Sequence, residues 1–212
     1  MSLGARAAAP GRHRRGPRAS GIPSVLGAGR AGCDSVRMHP DSSLPLVTPR
    51  LVLRRRVPGD AAVVRSLWET RDPRVPAHRR VDAEGHPSEA ELAEAIGLEP
   101  VEPARGLLSV LTRHDGAVIG YCGLLTGGVP ERPEAVEIAY ELLESARGHG
   151  YATEAARAVL AWGEASGLRT VWATVRAWNE ASLGVAARLG FERTGVIEAD
   201  PEHGDSLLLR RG

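Results

Sequence analysis

The stretch Val136-Glu-Ile-Ala-Tyr-Glu-Leu-Leu-Glu-Ser-Ala-Arg-Gly-His-Gly-Tyr-Ala-Thr-Glu-Ala156 decides the fold of this chain. Apolar side chains recur at every second residue from Val136 to Leu142, as a pleated strand requires. From Ala152 onward, the apolar positions follow the i, i+3, i+4 spacing of one helix face. The stretch therefore predicts a strand that leads through a short turn into a helix.

The turn between this strand and this helix, Arg147-Gly148-His149-Gly150, has the composition of an anion site. Its glycines allow backbone dihedrals that other residues resist, and they let a ligand approach the backbone closely. The helix that follows presents unpaired N–H groups and the positive end of its dipole. Arg147 adds a charge suited to phosphate. We therefore predict a pyrophosphate site at the start of the helix.

Three kinds of phosphate loop compete for this turn. A Walker loop ends in Gly-Lys-Ser/Thr and is excluded, because the chain contains no lysine. A dinucleotide fingerprint needs a third glycine, but Thr153 stands at that position, so support for NAD or FAD is weak. The third pattern, Arg147-Gly-His-Gly-Tyr-Ala-Thr-Glu-Ala155, resembles the coenzyme A loop of the GNAT superfamily of N-acetyltransferases. Within that superfamily it is similar to the Rim-type branch, named for enzymes that acetylate the N termini of ribosomal proteins.

Other segments resemble the same family in the same order. Residues 48–54 resemble its first strand, and residues 116–124 its hairpin return strand. Downstream, a strand at residues 171–176 precedes Asn179-Glu-Ala-Ser182, which is predicted to open a helix that ends at Leu189-Gly-Phe191. The resemblance covers about residues 48–195. With the element count, it implies a mixed α/β fold, with a mostly antiparallel sheet of about seven strands and about four helices on both faces.

Composition divides the chain into a tail and one domain. Residues 1–37 hold seven arginines and a single acid, with few aliphatic residues, so we expect disorder or a start-site artefact preceding Met38. Residues 38–212 are the predicted acetyltransferase domain. No run approaches the ~18 apolar residues of a membrane span, and no apolar signal region is present, so a cytoplasmic protein is expected.

The sequence predicts no metal site and no nucleic-acid partner. Cys33 and Cys122 have neither metal spacing nor a plausible pairing, and the seven histidines never fall at ligand spacing with acids or cysteines. The tryptophans are not interleaved with basic residues, so a stacking surface for bases is not expected. Either a monomer or a homodimer is compatible with the sequence.

The resemblance implies transfer of an acetyl group from acetyl-CoA to a primary amine. The pantetheine arm is expected to bond to the strand backbone near Leu142 and Leu143, and the pyrophosphate to the N–H groups of the loop. The residues predicted to bind acetyl-CoA are Leu142, Leu143, Arg147, Gly148, His149, Gly150, Tyr151, Ala152, Thr153, Asn179 and Ser182.

Two sets of residues are candidates for the chemistry. Glu137 is the predicted general base, because a partly desolvated glutamate has a raised pKa that suits proton removal near neutral pH. Glu141, on the same strand face, is the alternative. Ser182 is predicted to protonate the leaving thiolate, with water as the rival, because Ala186 stands where many of these enzymes have a tyrosine.

The amine acceptor is predicted only by class: a protein N terminus or a small-molecule amine. The negative charge balance of residues 38–212 favours a basic or cationic acceptor. Asp60 is predicted to cap a first short helix, and Ser88 with Glu91 to form the capping box of a second. Near these two helices, which resemble the family's acceptor wall, a cluster of cations is predicted to be a solvated face. Its members are Arg71, Arg74, His78, Arg79 and Arg80. The alternative function is a non-catalytic module that binds or senses acyl-CoA, and a nucleotide-dependent oxidoreductase is a weaker third.

Overall fold

The computed structural model of the protein describes residues 44–102, 104–129 and 132–212. The predicted tail at residues 1–37, including Cys33, therefore lies outside the described residues, and its prediction stays untested.

The described residues form one eight-stranded sheet with the strand order β1-β2-β3-β4-β5-β6-β8-β7. The strands are β1 Leu46–Val47, β2 Leu51–Arg55, β3 Gly106–Thr112, β4 Val118–Thr126, β5 Val136–Leu142, β6 Val171–Arg176, β7 Glu192–Glu198 and β8 Ser206–Arg211. Every neighbouring pair is antiparallel except β5 with β6. The predicted mixed, mostly antiparallel sheet is thus confirmed, with the two-residue β1 as the extra strand.

Within the described residues, four α-helices cover the sheet: α1 Ala61–Glu69, α2 Glu89–Gly97, α3 Tyr151–Ala165 and α4 Glu180–Arg188. Residues of α3 and α4 join the main core with alternate residues of β5, whereas α1 and α2 form a smaller cluster of their own. At Gly163, α3 packs so closely on β4 that a β-carbon would lie 2.8 Å from the side chain of Leu124. No helix in the described residues is long and apolar enough to cross a membrane.

The two predicted N-caps have different outcomes. At α2, Ser88 and Glu91 form the predicted capping box, in which each side chain accepts the other's backbone N–H. At α1, Asp60 occupies the N-cap position but makes no side-chain cap bond, so that prediction is wrong. Its carboxylate instead accepts hydrogen bonds from Arg54 and Ser109, which ties the start of α1 to strands β2 and β3.

Strand β5 lies near the middle of the sheet, and all its residues are buried. Ile138, Tyr140 and Leu142 belong to the core that α3 and α4 complete. Glu137 and Glu141 alternate with them and therefore point to the opposite face, the side that α1 and α2 cover. The fold thus buries two carboxyl groups on one face of its central strand.

Candidate active site

The glycine turn leads directly into the exposed N-terminus of α3. Gly148 and Gly150 both have φ of +78°, in the left-handed region that favours glycine. Gly150 is the N-cap residue of α3 and has no side chain with which to cap the helix. Glu154 donates its N–H to the carbonyl of Gly150, so the N–H groups of residues 151–153 have no acceptor within the helix. These N–H groups are therefore open to an acceptor from outside the helix.

The side chains in and beside the turn make different contacts. Arg147 donates from Nε to the carbonyl of Leu142 at 3.1 Å, which holds its guanidinium beside the end of β5. His149 is exposed, and its ring stacks on that of Tyr151 with centroids 5.7 Å apart. Tyr151 is therefore a packing residue beside the turn.

Two further arginines reach this turn from distant parts of the chain. Arg50 donates to the carbonyl of His149 at 2.9 Å and pairs with Glu154 at 2.7 Å. Arg188 of α4 brings its Nε within 3.4 Å of the hydroxyl of Thr153. Sequence reasoning missed both, because no spacing along the chain signals a contact between residues so far apart. Arg188 adds positive charge beside the turn, whereas the charge of Arg50 is balanced by Glu154.

Strands β5 and β6 diverge beside this turn. Their parallel register contains the single pair Glu137 with Trp172. Two residues further along β6, the N–H of Thr174 donates to the carboxylate of Glu137 at 2.7 Å. The side chain of Glu137 thus takes the hydrogen bond that the backbone of β5 would accept in a closed sheet. Toward the end of β5, a gap opens between the two strands.

At the end of β5, the backbone groups of alternate residues face this gap. Leu143 donates its N–H to Ile119 at 2.9 Å, and its carbonyl accepts from Ala146, so both of its backbone groups are used within the chain. Because backbone groups alternate in direction along a strand, those of Tyr140 and Leu142 point away from β4 and toward the gap. Of the two residues predicted to hold pantetheine, Leu142 is the one directed there, through its N–H, because its carbonyl accepts from Arg147.

Glu137 is fully buried, with 0% exposure. One carboxylate oxygen accepts the Thr174 N–H, whereas Oε2 has no hydrogen-bond partner among the described residues. Burial raises the pKa of Glu137 to about 7, against the lowering by the Thr174 bonds and the charge of Arg79. Gly128 covers the free oxygen so closely that a β-carbon there would lie 2.0 Å from it. This carboxyl group has the environment expected of a general base.

Glu141, the alternative base, is committed to an ion pair. Its carboxylate, 1% exposed, lies 2.5 Å from a guanidinium nitrogen of Arg71 and accepts the hydroxyl of Tyr121 at 2.7 Å. Burial alone would raise the pKa of Glu141, but the hydrogen bonds and charge of Arg71 lower it overall. A carboxylate held in this way is a weak proton acceptor. The Arg71 side chain is only 4% exposed, so the predicted solvated face is wrong at this residue.

Asn179 and Ser182 lie at the start of α4. Both are buried, and Asn179 caps the helix by accepting the Ser182 N–H at 3.1 Å. The hydroxyl of Tyr140 donates to the carbonyl of Ser182 at 3.3 Å, which attaches this helix start to β5. Ser182 therefore lies on the α3–α4 face of the sheet, whereas Glu137 lies on the opposite face.

A pocket of about 690 Å³ opens on the face that carries Glu137. Its apolar wall comes from α1 and α2 and includes Val64, Trp68, Leu92 and Ile96. Tyr121, Gly128 and Ala139 lie in its lining on the sheet side, next to the buried carboxyl groups. No group of histidines, cysteines and acids within the described residues could hold a metal ion.

The sequence model of the acetyltransferase (GNAT) domain family matches residues 50–192. A relative named uncharacterized N-acetyltransferase p20, from Bacillus licheniformis, is 27% identical over 154 residues, which are 72% of this chain and 84% of the relative.

Solved structures with the same fold are also found. A putative GnaT-family acetyltransferase from Bordetella pertussis superposes with a TM-score of 0.62 at 28% identity, covering 79% of this chain and 98% of the other. A putative ribosomal-protein-serine acetyltransferase from Vibrio cholerae has a TM-score of 0.60 at 20% identity, covering 82% and 99%. The second likeness shows a common fold alone.

Proposed function

The chain belongs to the GNAT acetyltransferase family, and from that premise we propose that it transfers the acetyl group of acetyl-CoA to a primary amine. The amine attacks the thioester directly while both substrates are bound. The observation that carries this proposal is the carboxyl group of Glu137, which is buried beside the pocket, has a pKa of about 7 and keeps one oxygen without a protein partner.

The residues beside the turn fit coenzyme A. The N–H groups of residues 151–153, with Arg147 and Arg188 nearby, suit a pyrophosphate. The backbone groups of Tyr140 and the N–H of Leu142, directed into the gap between β5 and β6, suit the amides of a pantetheine arm. When bound, acetyl-CoA supplies an activated thioester.

Glu137 removes a proton from the acceptor amine, directly or through a water molecule. A carboxyl group with a pKa of about 7 is about half ionised at neutral pH, so it is available as a base without being strongly acidic. The bond from Thr174 N–H fixes one oxygen and leaves the other to accept the proton. Glu141 does not compete for this role, because Arg71 and Tyr121 occupy its carboxylate.

Ser182 is the proposed acid for the leaving thiolate, with water as the rival. Because Ser182 and Glu137 lie on opposite faces of the sheet, a thioester in the gap between β5 and β6 has a base on one side and a hydroxyl on the other. The acceptor then enters from the pocket face, and the thiolate leaves toward α4.

A module that binds acyl-CoA without turnover is the second candidate. The observation that favours it is Ala186, which carries no hydroxyl where many enzymes of this family have a tyrosine. Turnover distinguishes the two candidates, because both predict binding of acetyl-CoA.

The test has two steps on the full-length protein. Thermal unfolding is measured with acetyl-CoA, coenzyme A and NAD; at 100 times Kd a ligand adds about 2.7 kcal/mol, or about 5–10 °C for a domain of this size. Release of free coenzyme A is then followed with a panel of amines and peptides. Stabilisation by both forms of coenzyme A with amine-dependent release supports the proposal. Stabilisation without release from any acceptor supports the binding module, and stabilisation by NAD alone refutes both.

A further inference from the structure

The acceptor pocket is lined by more cations than anions. Five arginines line it against two glutamates: Arg55, Arg56, Arg71, Arg79 and Arg105 against Glu99 and Glu102. The net charge of residues 38–212 is negative, so the local sign in the pocket is opposite to that of the domain. A bound substrate responds to the local field.

Three of these arginines are held by acceptors in the chain. Arg56 pairs with Glu99, and Arg71 pairs with Glu141. Arg55 donates to two backbone carbonyls, at 2.6 and 2.9 Å. Their charges and donors are therefore largely satisfied before any ligand binds.

Arg79 differs from these three. It is partly buried at the end of a short helical turn, Ala77–Arg79, and is one of the residues that line the pocket. Its guanidinium forms no hydrogen bond or ion pair with any residue that the structure describes, although its backbone carbonyl accepts from Arg71. Burial and the neighbouring charge of Arg71 lower the pKa of Arg79, against the raising by Tyr121, Glu141 and Glu137. An unpaired, partly buried guanidinium is a costly group that an anionic ligand would stabilise.

Arg79 also lies within electrostatic reach of the base, since its charge lowers the pKa of Glu137. Gly128, which covers the free oxygen of Glu137, lines the same pocket as Arg79, so a small molecule there can place an amine near Glu137 and an anionic group at Arg79. The apolar wall of Val64, Trp68 and Leu92 suits an aliphatic or aromatic side chain on the same molecule.

We propose that the acceptor is an amine that also carries a carboxylate and an apolar side chain, as an apolar α-amino acid does, and that Arg79 binds the carboxylate. This inference rests on the proposed acetyl transfer and specifies its substrate class. A polyamine would bring positive charge against the arginines of the pocket, and a protein N terminus carries a peptide bond where the carboxylate would be. The inference also reverses the preference for a cationic acceptor predicted from the charge balance of residues 38–212.

The test compares L-leucine with L-leucinamide and isopentylamine, which keep the side chain and the amine but lack the carboxylate. Acetyl transfer to each is measured with the full-length protein and with Arg79→Gln. Comparing variants on one substrate cancels the different basicities of the three amines. We expect Arg79→Gln to lower kcat/KM for leucine at least about tenfold, the scale of a charge-assisted hydrogen bond, and to change the other two less than about twofold.

Two controls separate binding of the carboxylate from a structural effect. Arg157→Gln removes an exposed arginine of α3 and should leave kcat/KM unchanged for all three substrates. Arg79→Lys keeps the charge and should restore part of the activity toward leucine. An equal loss for all three substrates in Arg79→Gln, or no loss for leucine, would overturn the inference while acetyl transfer itself stands.

A binding measurement covers the case in which none of the three amines is acetylated. The reaction product N-acetyl-L-leucine and its amide are titrated by calorimetry into the protein saturated with coenzyme A. Tighter binding of the carboxylate form by about tenfold, lost in Arg79→Gln, supports the inference, and equal binding overturns it. Failure of acetyl-CoA to bind would overturn the proposed function and the inference together.

Discussion

Replacing Glu137 with glutamine tests both the catalytic role of this carboxyl group and the cost of burying it. Glutamine keeps an oxygen that can accept the Thr174 N–H, a bond of 2.7 Å in the structure. It removes only the ability to bind and release a proton. The wild-type protein and Glu137→Gln therefore differ only in whether residue 137 can titrate.

The stability effect follows from the pKa. In the unfolded chain the carboxyl group loses its proton near the usual 4.5, whereas in the folded protein burial raises this pKa to about 7. Between these values the folded state binds more protons than the unfolded state, so the wild-type protein loses stability as the pH rises. The raised pKa stabilises the folded protein by about 3 kcal/mol below about pH 4.5, and this stabilisation is lost by about pH 7.

The assay is denaturant unfolding of both variants at several pH values from about 4.5 to 8. Other titrating groups cancel in the difference between variants. We expect the free energy of unfolding of Glu137→Gln, relative to wild type, to rise by about 3 kcal/mol across this range. At neutral pH the same variant should transfer acetyl groups on the order of 10²-fold more slowly or worse, and its kcat/KM should lack the wild-type rise through about pH 7.

Glu192→Gln, an exposed position on strand β7, is the matched control and should change neither stability nor activity. A difference between wild type and Glu137→Gln that stays constant with pH would refute the raised pKa. A Glu137→Gln variant as active as the wild type would refute its role as the base, whatever the stability result.

Three other substitutions test separate parts of the site. Gly128→Ala places a β-carbon 2.0 Å from Glu137 Oε2, so displacement of the carboxyl group should lower kcat at least about tenfold while calorimetric affinity for coenzyme A is unchanged. Gly150→Ala forces an alanine to φ +78°, which costs about 1–2 kcal/mol, so Kd for coenzyme A should rise about tenfold. Arg71→Gln leaves the buried Glu141 carboxylate without its counterion and should lower the free energy of unfolding by about 3–5 kcal/mol.

Two control variants accompany these substitutions. Gly59→Ala adds a β-carbon that meets nothing within 4 Å, and Arg74→Gln removes an exposed arginine paired with Asp72. Neither should change affinity, rate or stability appreciably. Reduced affinity for coenzyme A in Gly128→Ala would contradict a local effect on the base. An unchanged Kd in Gly150→Ala would contradict the role of the turn, and an unchanged stability in Arg71→Gln would show that Glu141 is protonated or solvated.

Much of the fold could be predicted from the sequence, because its decisive patterns are local. The alternation from Val136 to Leu142 gives the observed bounds of β5, and Asn179 caps α4 where the Asn-x-x-Ser pattern placed a helix start. The left-handed glycines of the turn are likewise a local requirement, which only residues without a β-carbon meet easily. Each of these features depends on residues within a few positions of one another.

What the sequence did not predict depends on contacts between distant segments. The partner of Glu141 is Arg71, 70 residues earlier, and the partner of Glu154 is Arg50, 104 residues earlier. With 27 basic residues in the chain, no pattern indicates which one reaches a given carboxylate. The divergence of β5 from β6 was missed for the same reason, since it is visible only in the register of two strands.

Glu137 and Glu141 differ in pKa because of their hydrogen-bond and ion-pair partners, and not because of their burial. They lie on the same face of β5 and are 0% and 1% exposed. The guanidinium of Arg71 and the hydroxyl of Tyr121 stabilise the charged form of Glu141, whereas Glu137 receives a backbone N–H on one oxygen alone. Equal desolvation therefore gives a lowered pKa at one and a raised pKa at the other. Because the Arg71 pair also joins the segment after α1 to β5, Glu141 helps to hold the pocket wall in front of Glu137, the proposed base.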